Sequence, residues 1–474
     1  MSWEPDISLP IDEYRIEDLD LITATATEES RFNLIPYLQR LELVESIDSS
    51  FVQGVLRFSV LKGELKSRGV DFTMQDFIVI TTSSIESLQN DGVSAKLSEP
   101  RKIGGVFYIT DLIKKEISDT KVDSYTLHFS STEVLNEYTR KVSKSYKKQT
   151  RSDIIKRITK DFLIKDTIQE SKLGIFEQTK DQFQCVIPKW SPMTSIDWLS
   201  QGCISTENED SKCFSFFQTF DDDGDRKINL RSLRTMFRSK PSVGKDGNFL
   251  TGYALLPYDS HLDELEKRTL ARRTPLRCVM KNVSGLDKIF NGMYSSKLLS
   301  HDITRKTFTE HQFEFDNTHV ANEKVNRGLM VEDNKVDKDF DKNFLKTGDS
   351  YIKMDHDHKN LFRKFETNLG VNKTENWFQE YLNQKNVKNF ITLEITVYGD
   401  TSRNVGETVM FTSAGIYEKD DENLAVELDQ EGIDLAGKYL ITKIIHTFST
   451  DDEDGSLGGK NTTKMVLVKD GWQI

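Results

Sequence analysis

Two stretches decide the reading of this chain: GVFYITDLIKK, from Gly105 to Lys115, and GKYLITKIIHT, from Gly437 to Thr447. Aligned without gaps, they share Gly105/Gly437, Ile109/Ile441, Thr110/Thr442 and Ile113/Ile445, with Phe107/Tyr439 and Leu112/Ile444 similar. Each is preceded by a comparable segment, DFIVITTSS from Asp76 and ETVMFTSAG from Glu407, and each of those follows a predicted hairpin. Matching segments in the same order mark an internal duplication, one β unit used twice.

Outward from the first copy, residues 1–135 read as β. Leu41 and Leu43 alternate with polar neighbours, Asp48-Ser49-Ser50 supplies a turn, and Leu56, Phe58 and Val60 alternate again. That is a hairpin with one buried face. Phe77 to Ile80 is a short buried strand. A long strand, Val106 to Ile117, pairs with Tyr125 to Phe129, whose odd-numbered residues face the core. From 136 to 277 the period becomes mixed. Ile154, Ile155, Ile158 and Phe162 have helical spacing with Ser152 as cap. Ser191-Pro192 opens a second helix with Met193, Ile196 and Leu199 on one face. FSFFQTF, DDDGD and RKINLRSL form a hairpin. The second copy occupies 278–316 and 389–474. It holds a hairpin over 292–309, the clean alternation of Ile391, Leu393, Ile395 and Val397, and the strands 437–448 and 464–469. Between its parts lies a charged insertion, 317–388. Two helices are predicted there, one carrying Leu361, Phe362, Phe365 and Leu369, the other Trp377, Phe378, Tyr381 and Leu382. The fold class is therefore α+β, mainly β: two antiparallel β-barrels, a mixed α/β middle domain and a charged, partly helical insertion.

Composition narrows the function. The chain has 474 residues, enough for about three domains. With 36% hydrophobic residues and 28 Phe it is too apolar for a disordered chain. No apolar run is long enough for a membrane helix, so no membrane insertion is expected. The start, MSWEPDISLPIDEY, lacks the basic and apolar regions of a secretory signal. Four cysteines without a C-x-x-C pair read as reduced, inert thiols of a protein made in the cytoplasm. A net charge of -12 argues against specific nucleic-acid binding. The small basic clusters at 140–148 and at Arg268, Arg272 and Arg273 read as solvated faces or partner contacts.

Catalytic chemistry finds no support. There is no nucleophile elbow or phosphate-binding loop, and no carboxylate pair stands out by an apolar setting. An EF-hand placed with Gly224 sixth would begin at Thr219 and end at Leu230, so the match fails and Asp221 to Asp225 reads as a turn. Asp355 to His358 does not bring three metal ligands to one face. No catalytic, cofactor or metal residue is assigned.

Four motifs carry a resemblance: IPKWSPMTSIDWLSQGC (187–203), FNGMYSSKLLSHDITRKTF (290–308), ITVYGDTSRNVGETV (395–409) and AGKYLITKIIHTF (436–448). In this order the chain resembles the central baseplate hub protein of contractile-tailed bacteriophages, a family related to the spike hubs of secretion systems. The resemblance implies a homotrimer, each chain contributing two barrels similar to the tail-tube subunit. Six barrels then make a pseudo-sixfold ring. Such a ring joins a sixfold tube, or tube-initiator protein, above to a threefold central spike below. It sits among other baseplate proteins of the virion tail, assembles in the host cytoplasm, and lets tape-measure protein and DNA pass. The resemblance also implies that 317–388 packs on the middle domain. Gly105, Ile109, Ile113, Gly437, Ile441 and Ile445 are the assembly-interface candidates. Other readings stay open: the hub of a contractile secretion system or tail-like bacteriocin, a β-rich cell-wall-degrading enzyme, or a β-rich protein of another role.

Overall fold

The computed structural model describes residues 9–23, 31–90 except 71 and 74, 95–117, 121–239 except 181 and 208–210, 252–254, 264–281, 285–314 except 294 and 303–305, 351–356, 374, 377–412 except 389, 435, 437–451 and 457–469. The first copy contributes β1 (Tyr14–Ile22), β2 (Phe32–Asn33), β3 (Leu38–Ser46), β4 (Gln53–Leu61), β5 (Phe77–Ser84), a side hairpin of β6 (Ser87–Asn90) and β7 (Ala95–Ser98), β8 (Ile103–Ile117) and β9 (Val122–Ser131). The middle region adds β10 (Val142–Thr150), β11 (Lys172–Phe176), β12 (Gln182–Trp190), β13 (Phe214–Phe220), β14 (Arg226–Ser232) and the short β15 (Gly252–Ala254). Then follow β16 (Arg277–Lys281), β17 (Ser295–Asp302), β18 (Thr307–Glu314), β19 (Ile352–His356), β20 (Ile391–Tyr398), β21 (Thr408–Thr412), β22 (Gly437–Asp451) and β23 (Leu457–Lys469). The protein is α+β and mainly β.

The duplication is visible strand by strand. In the first copy the order is β3-β4-β9-β8-β5; in the second it is β16-β20-β23-β22, with β21 on β22. Registers coincide. Ile80 lies opposite Gly105, and its aligned residue Phe411 lies opposite Gly437. The amide of Ile109 donates to the Asp76 carbonyl at 3.0 Å, and that of Ile441 to the Glu407 carbonyl at 2.9 Å. Both long strands then break register at the same aligned residue. Ile109 and Asp111 face Phe129 and His128, while Ile441 and Lys443 face Leu467 and Val466. Thr110 and Thr442 are thus extra residues in the two ladders. A bulge there bends the strand, so that its second half leaves the neighbour its first half was paired with.

The two copies are joined edge to edge: β22 pairs antiparallel with β3, Lys443 opposite Ser46 through Ser449 opposite Arg40, and among the described residues both share one 13-stranded sheet. Strand pairing also crosses the expected boundaries. The hairpin β17–β18 pairs with β19 rather than with the large sheet, so 295–314 sits with the insertion. Conversely β15 leaves the middle domain to pair with β21. The predicted helix at 361–369 lies outside the described residues, and the other spans Phe378–Val387. Its Gln384 side chain accepts the amides of Lys212 and Cys213, and Lys388 reaches Asp48 of the first copy.

Three cores meet on β13. Residues of this strand are buried on both sides, with Ser215 only half-buried. Phe220 packs with Leu41, Leu56, Phe107 and Leu127 of the first copy. Phe217 packs with Leu393, Ile395, Ile441 and Leu467 of the second. Phe214 and Phe216 pack with Ile154, Ile196 and Leu199 of the middle domain. Burying each ring contributes on the order of 2–3 kcal/mol. The middle-domain helices follow the sequence closely. Ser191 caps the helix Pro192–Ser200 by accepting the Thr194 amide. The helix Arg151–Ile158 is capped by Thr150, not Ser152, because Thr150 precedes the first helical residue and accepts the Asp153 amide.

Gly105 and Gly437 carry φ of 127° and 135°, in a region that L side chains avoid. Gly105→Val and Gly437→Val are each expected to cost about 2 kcal/mol, read as a lower urea midpoint of the isolated chain.

Candidate assembly interface

The seam between copies is built from alternation. On β3, Leu41, Leu43 and Glu45 point inward; on β22, Ile444, His446 and Phe448 do the same, and all six are fully buried. Apolar residues dominate this buried face, which is why the two copies hold together. The exception is a polar pair. His446 Nε2 lies 3.6 Å from Glu45 Oε1. The Thr219 hydroxyl, from β13, lies 2.5 Å from Glu45 Oε2 and 2.9 Å from Asn404 Oδ1. On the other side of the ring, His446 Nδ1 lies 3.3 Å from the Thr463 hydroxyl. Buried polar groups need partners, and here Thr219 of β13 serves Glu45 and Thr463 of β23 serves His446.

That loop, GDTSRN at 399–404, is the second tie between copies. Arg101 of the first copy enters it. Its Nε donates to the Thr401 carbonyl at 3.0 Å, Nη1 to Asn404 Oδ1 at 3.0 Å and to the Phe220 carbonyl at 3.3 Å, and Nη2 to the Arg403 carbonyl at 3.2 Å. Ser87 donates to Asp400 at 2.7 Å, and the Thr401 hydroxyl donates to the Arg101 carbonyl at 2.6 Å. Burial pushes the Asp400 carboxyl up, but Arg403, the Ser87 hydroxyl and the Ser402 amide outweigh it and hold it below the usual carboxylate range. A third tie corrects the sequence reading of the basic cluster. Arg268 and Arg272 are buried rather than solvated, because Glu86 accepts from both, at 3.2 and 2.9 Å. Arg272 also donates to the Gly399 carbonyl at 2.7 Å.

The structure separates the six interface candidates. Ile109 and Ile441 lie in the two cores, and Gly105, half-buried, and Gly437, buried, lie in ladders opposite Ile80 and Phe411. Ile445 lies in the seam itself, opposite Val44. Ile113, aligned with it in sequence, lies on β8 within a second register shift, between Leu112 and Lys114. Glu45, His446 and Arg101 were not singled out by sequence reasoning. Only the interval of two between Leu41, Leu43 and Glu45, an acid in an apolar series, hinted at the first.

Among the described residues no group of three or more His, Cys, Asp or Glu is placed to hold a metal ion. Asp221, Asp223 and Asp225 instead surround Lys172, whose Nζ is 2.8 Å from Asp225, and Asp221 accepts two amides of its own turn. Burial pushes the thiol of Cys203 up to about 12 and those of Cys185 and Cys213 up to about 11, so none is a ready nucleophile. No described helix is long and apolar enough to cross a membrane.

No family model and no curated protein matches the chain. Solved structures do. The tail protein from Neisseria meningitidis is similar at 10% identity and a TM-score of 0.47, over 97% of this chain and 97% of that one. The 43 kDa tail protein of prophage MuSo2 from Shewanella oneidensis is similar at 11% identity and 0.45, over 96% and 98%. A chain of the Francisella PdpA-VgrG complex is similar at 11% and 0.45, over 96% of this chain and 58% of that one.

Arg101→Ala is expected to destabilise the chain by about 3–4 kcal/mol in urea titration, since it strands three buried carbonyls, and Arg101→Lys is expected to rescue little because one ammonium cannot reproduce the fork. Asp400 adds a pH signature. Its folded pKa lies below the ordinary 3.8, so its contribution is complete above that pH and is lost as pH falls through the folded value. Asp400→Asn should therefore be less stable than the wild type at neutral pH, with the gap narrowing below about pH 3.8 in urea midpoints measured across pH.

Proposed function

We propose that the chain is a structural subunit of a phage tail baseplate, a hub whose copies close a ring of β units around a channel. The observation that carries this reading is the duplication, with matching strand order and a shared bulge at Thr110 and Thr442. A unit repeated in one chain and joined edge to edge by β22 and β3 supplies two of six ring positions. Three chains then supply six, matching a sixfold tube on one side while keeping threefold symmetry for a spike on the other. The motifs of the first section support the same assignment.

The face of the sheet away from the cores fits a channel wall. Along it lie Thr126, Thr392, Thr396, Thr447 and Thr462, all half-buried. Several of its charges are paired within the face: Glu394 with Lys281 at 2.5 Å and Lys464 at 3.0 Å, and Arg40 with Glu42 at 2.6 Å. Paired cations offer few phosphate contacts, and phosphate contacts dominate non-specific DNA affinity. A wall of this kind lets tape-measure protein and DNA pass without holding them. No catalytic role is assigned.

Native mass measurement tests the ring. A species of three times 54.6 kDa, about 164 kDa, is expected; a chain that is monomeric or dimeric at every concentration refutes it. On a peptidoglycan zymogram the isolated chain is expected to give no clearing, and clearing would assign it a wall-degrading activity instead.

A further inference from the structure

β10 and β12 form a two-stranded sheet of their own in the middle domain. Its inner face is firmly held: Val142 and Tyr146 of β10 are buried with Ile154, Ile158 and Ile187. Paired residues share a face, so Ser143 with Pro188 and Ser145 with Val186 make the outer face, and all four are exposed. β12 takes one side of β10. Among the described residues no strand pairs with the other side. An anchored strand with an open side presents a row of unspent N–H and C=O groups, a template for one more strand.

The charge on this edge is one-sided. Residues 140–148, RKVSKSYKK, hold five cations and no acid in a chain of net charge -12. Two of the five are neutralised, since Arg140 lies 3.1 Å from Asp166 and Lys144 lies 3.1 Å from Asp161. Lys141 and Lys147 are exposed and form no ion pair among the described residues. Backbone geometry sets two further lysines apart. The β10–β12 ladder breaks register twice, and Lys148 and Lys189 stand at the breaks with φ of 54° and 58°. Glycine or asparagine enters that left-handed region more readily than lysine. A bulge alone does not call for lysine at either place; a charge at this sheet does.

We propose that the open side of β10 receives an extended acidic segment of another protein, added as a strand, with its carboxylates beside Lys141, Lys147 and Lys148. Backbone bonds to the open edge supply affinity and the lysines supply selection. Lysine on an open edge repels indiscriminate pairing. The same charges admit a strand of opposite sign, so one device both excludes and selects. Nucleic acid fits less well. Its affinity comes from many phosphate contacts, whereas Ser143 and Ser145 separate Lys141 from Lys147 and the ladder groups of β10 would go unused. This edge lies outside the 13-stranded sheet, so its use is independent of the ring.

Fluorescence anisotropy with the full chain and a labelled peptide of alternating Glu and Val tests this. Saturable binding is expected at low salt, weakening about tenfold or more as salt screens the lysines. The same peptide with Lys in place of Glu is expected not to bind. The exposed pair Lys141→Glu and Lys147→Glu, made together, is expected to exchange these preferences at an unchanged urea midpoint. Methylating alternate backbone nitrogens of the Glu peptide keeps its charge and removes ladder donors, and is expected to abolish binding. Equal binding of the methylated peptide overturns strand addition. No saturable binding of the Glu peptide at low salt overturns the site. Tighter binding of a short DNA duplex than of the Glu peptide overturns the acidic-peptide assignment in favour of nucleic acid.

Discussion

The antiparallel ladder between β22 and β3 is the constraint on which the rest of the structure depends. It joins strands about 400 residues apart in the chain, so each residue fixed there closes a very long loop. Such pairing holds only if the buried face beneath it repays that entropy. Leu41, Leu43, Ile444 and Phe448 do so, and β13 lies under them with Phe217 in one core and Phe220 in the other. The middle domain is thus no appendage. Its hairpin holds both copies at one fixed relation.

Polar groups set this relation more narrowly than apolar packing could. A sheet slipped by two residues would still bury leucines, but it would leave Glu45 without Thr219 and Arg101 without the GDTSRN carbonyls. Each lost partner costs the desolvation of a buried group, roughly 1–3 kcal/mol. Arg101, Asp400 and the Glu86–Arg268–Arg272 cluster specify which two loops and which helix meet. Buried polar contacts are poor sources of net stability and good sources of register.

Sequence alone reached the parts of this that are local. The alternation of Ile391 to Val397, the cap at Ser191 and the turn at Asp221 to Asp225 depend on neighbours within a few residues, and each is found where its pattern lies. The repeat was legible because Gly105 and Gly437 meet the same backbone demand and Thr110 and Thr442 stand at the same bulge. What could not be read was partnership at long range. Nothing in KIIHTFS names RLELVES as its neighbour, and Arg268 and Arg272 look like any exposed basic helix until Glu86 is brought beside them from 182 and 186 residues away. For the same reason the hairpin expected over 292–309 pairs, as β17–β18, with β19 and not with the large sheet, since alternation reports a buried face and not what buries it.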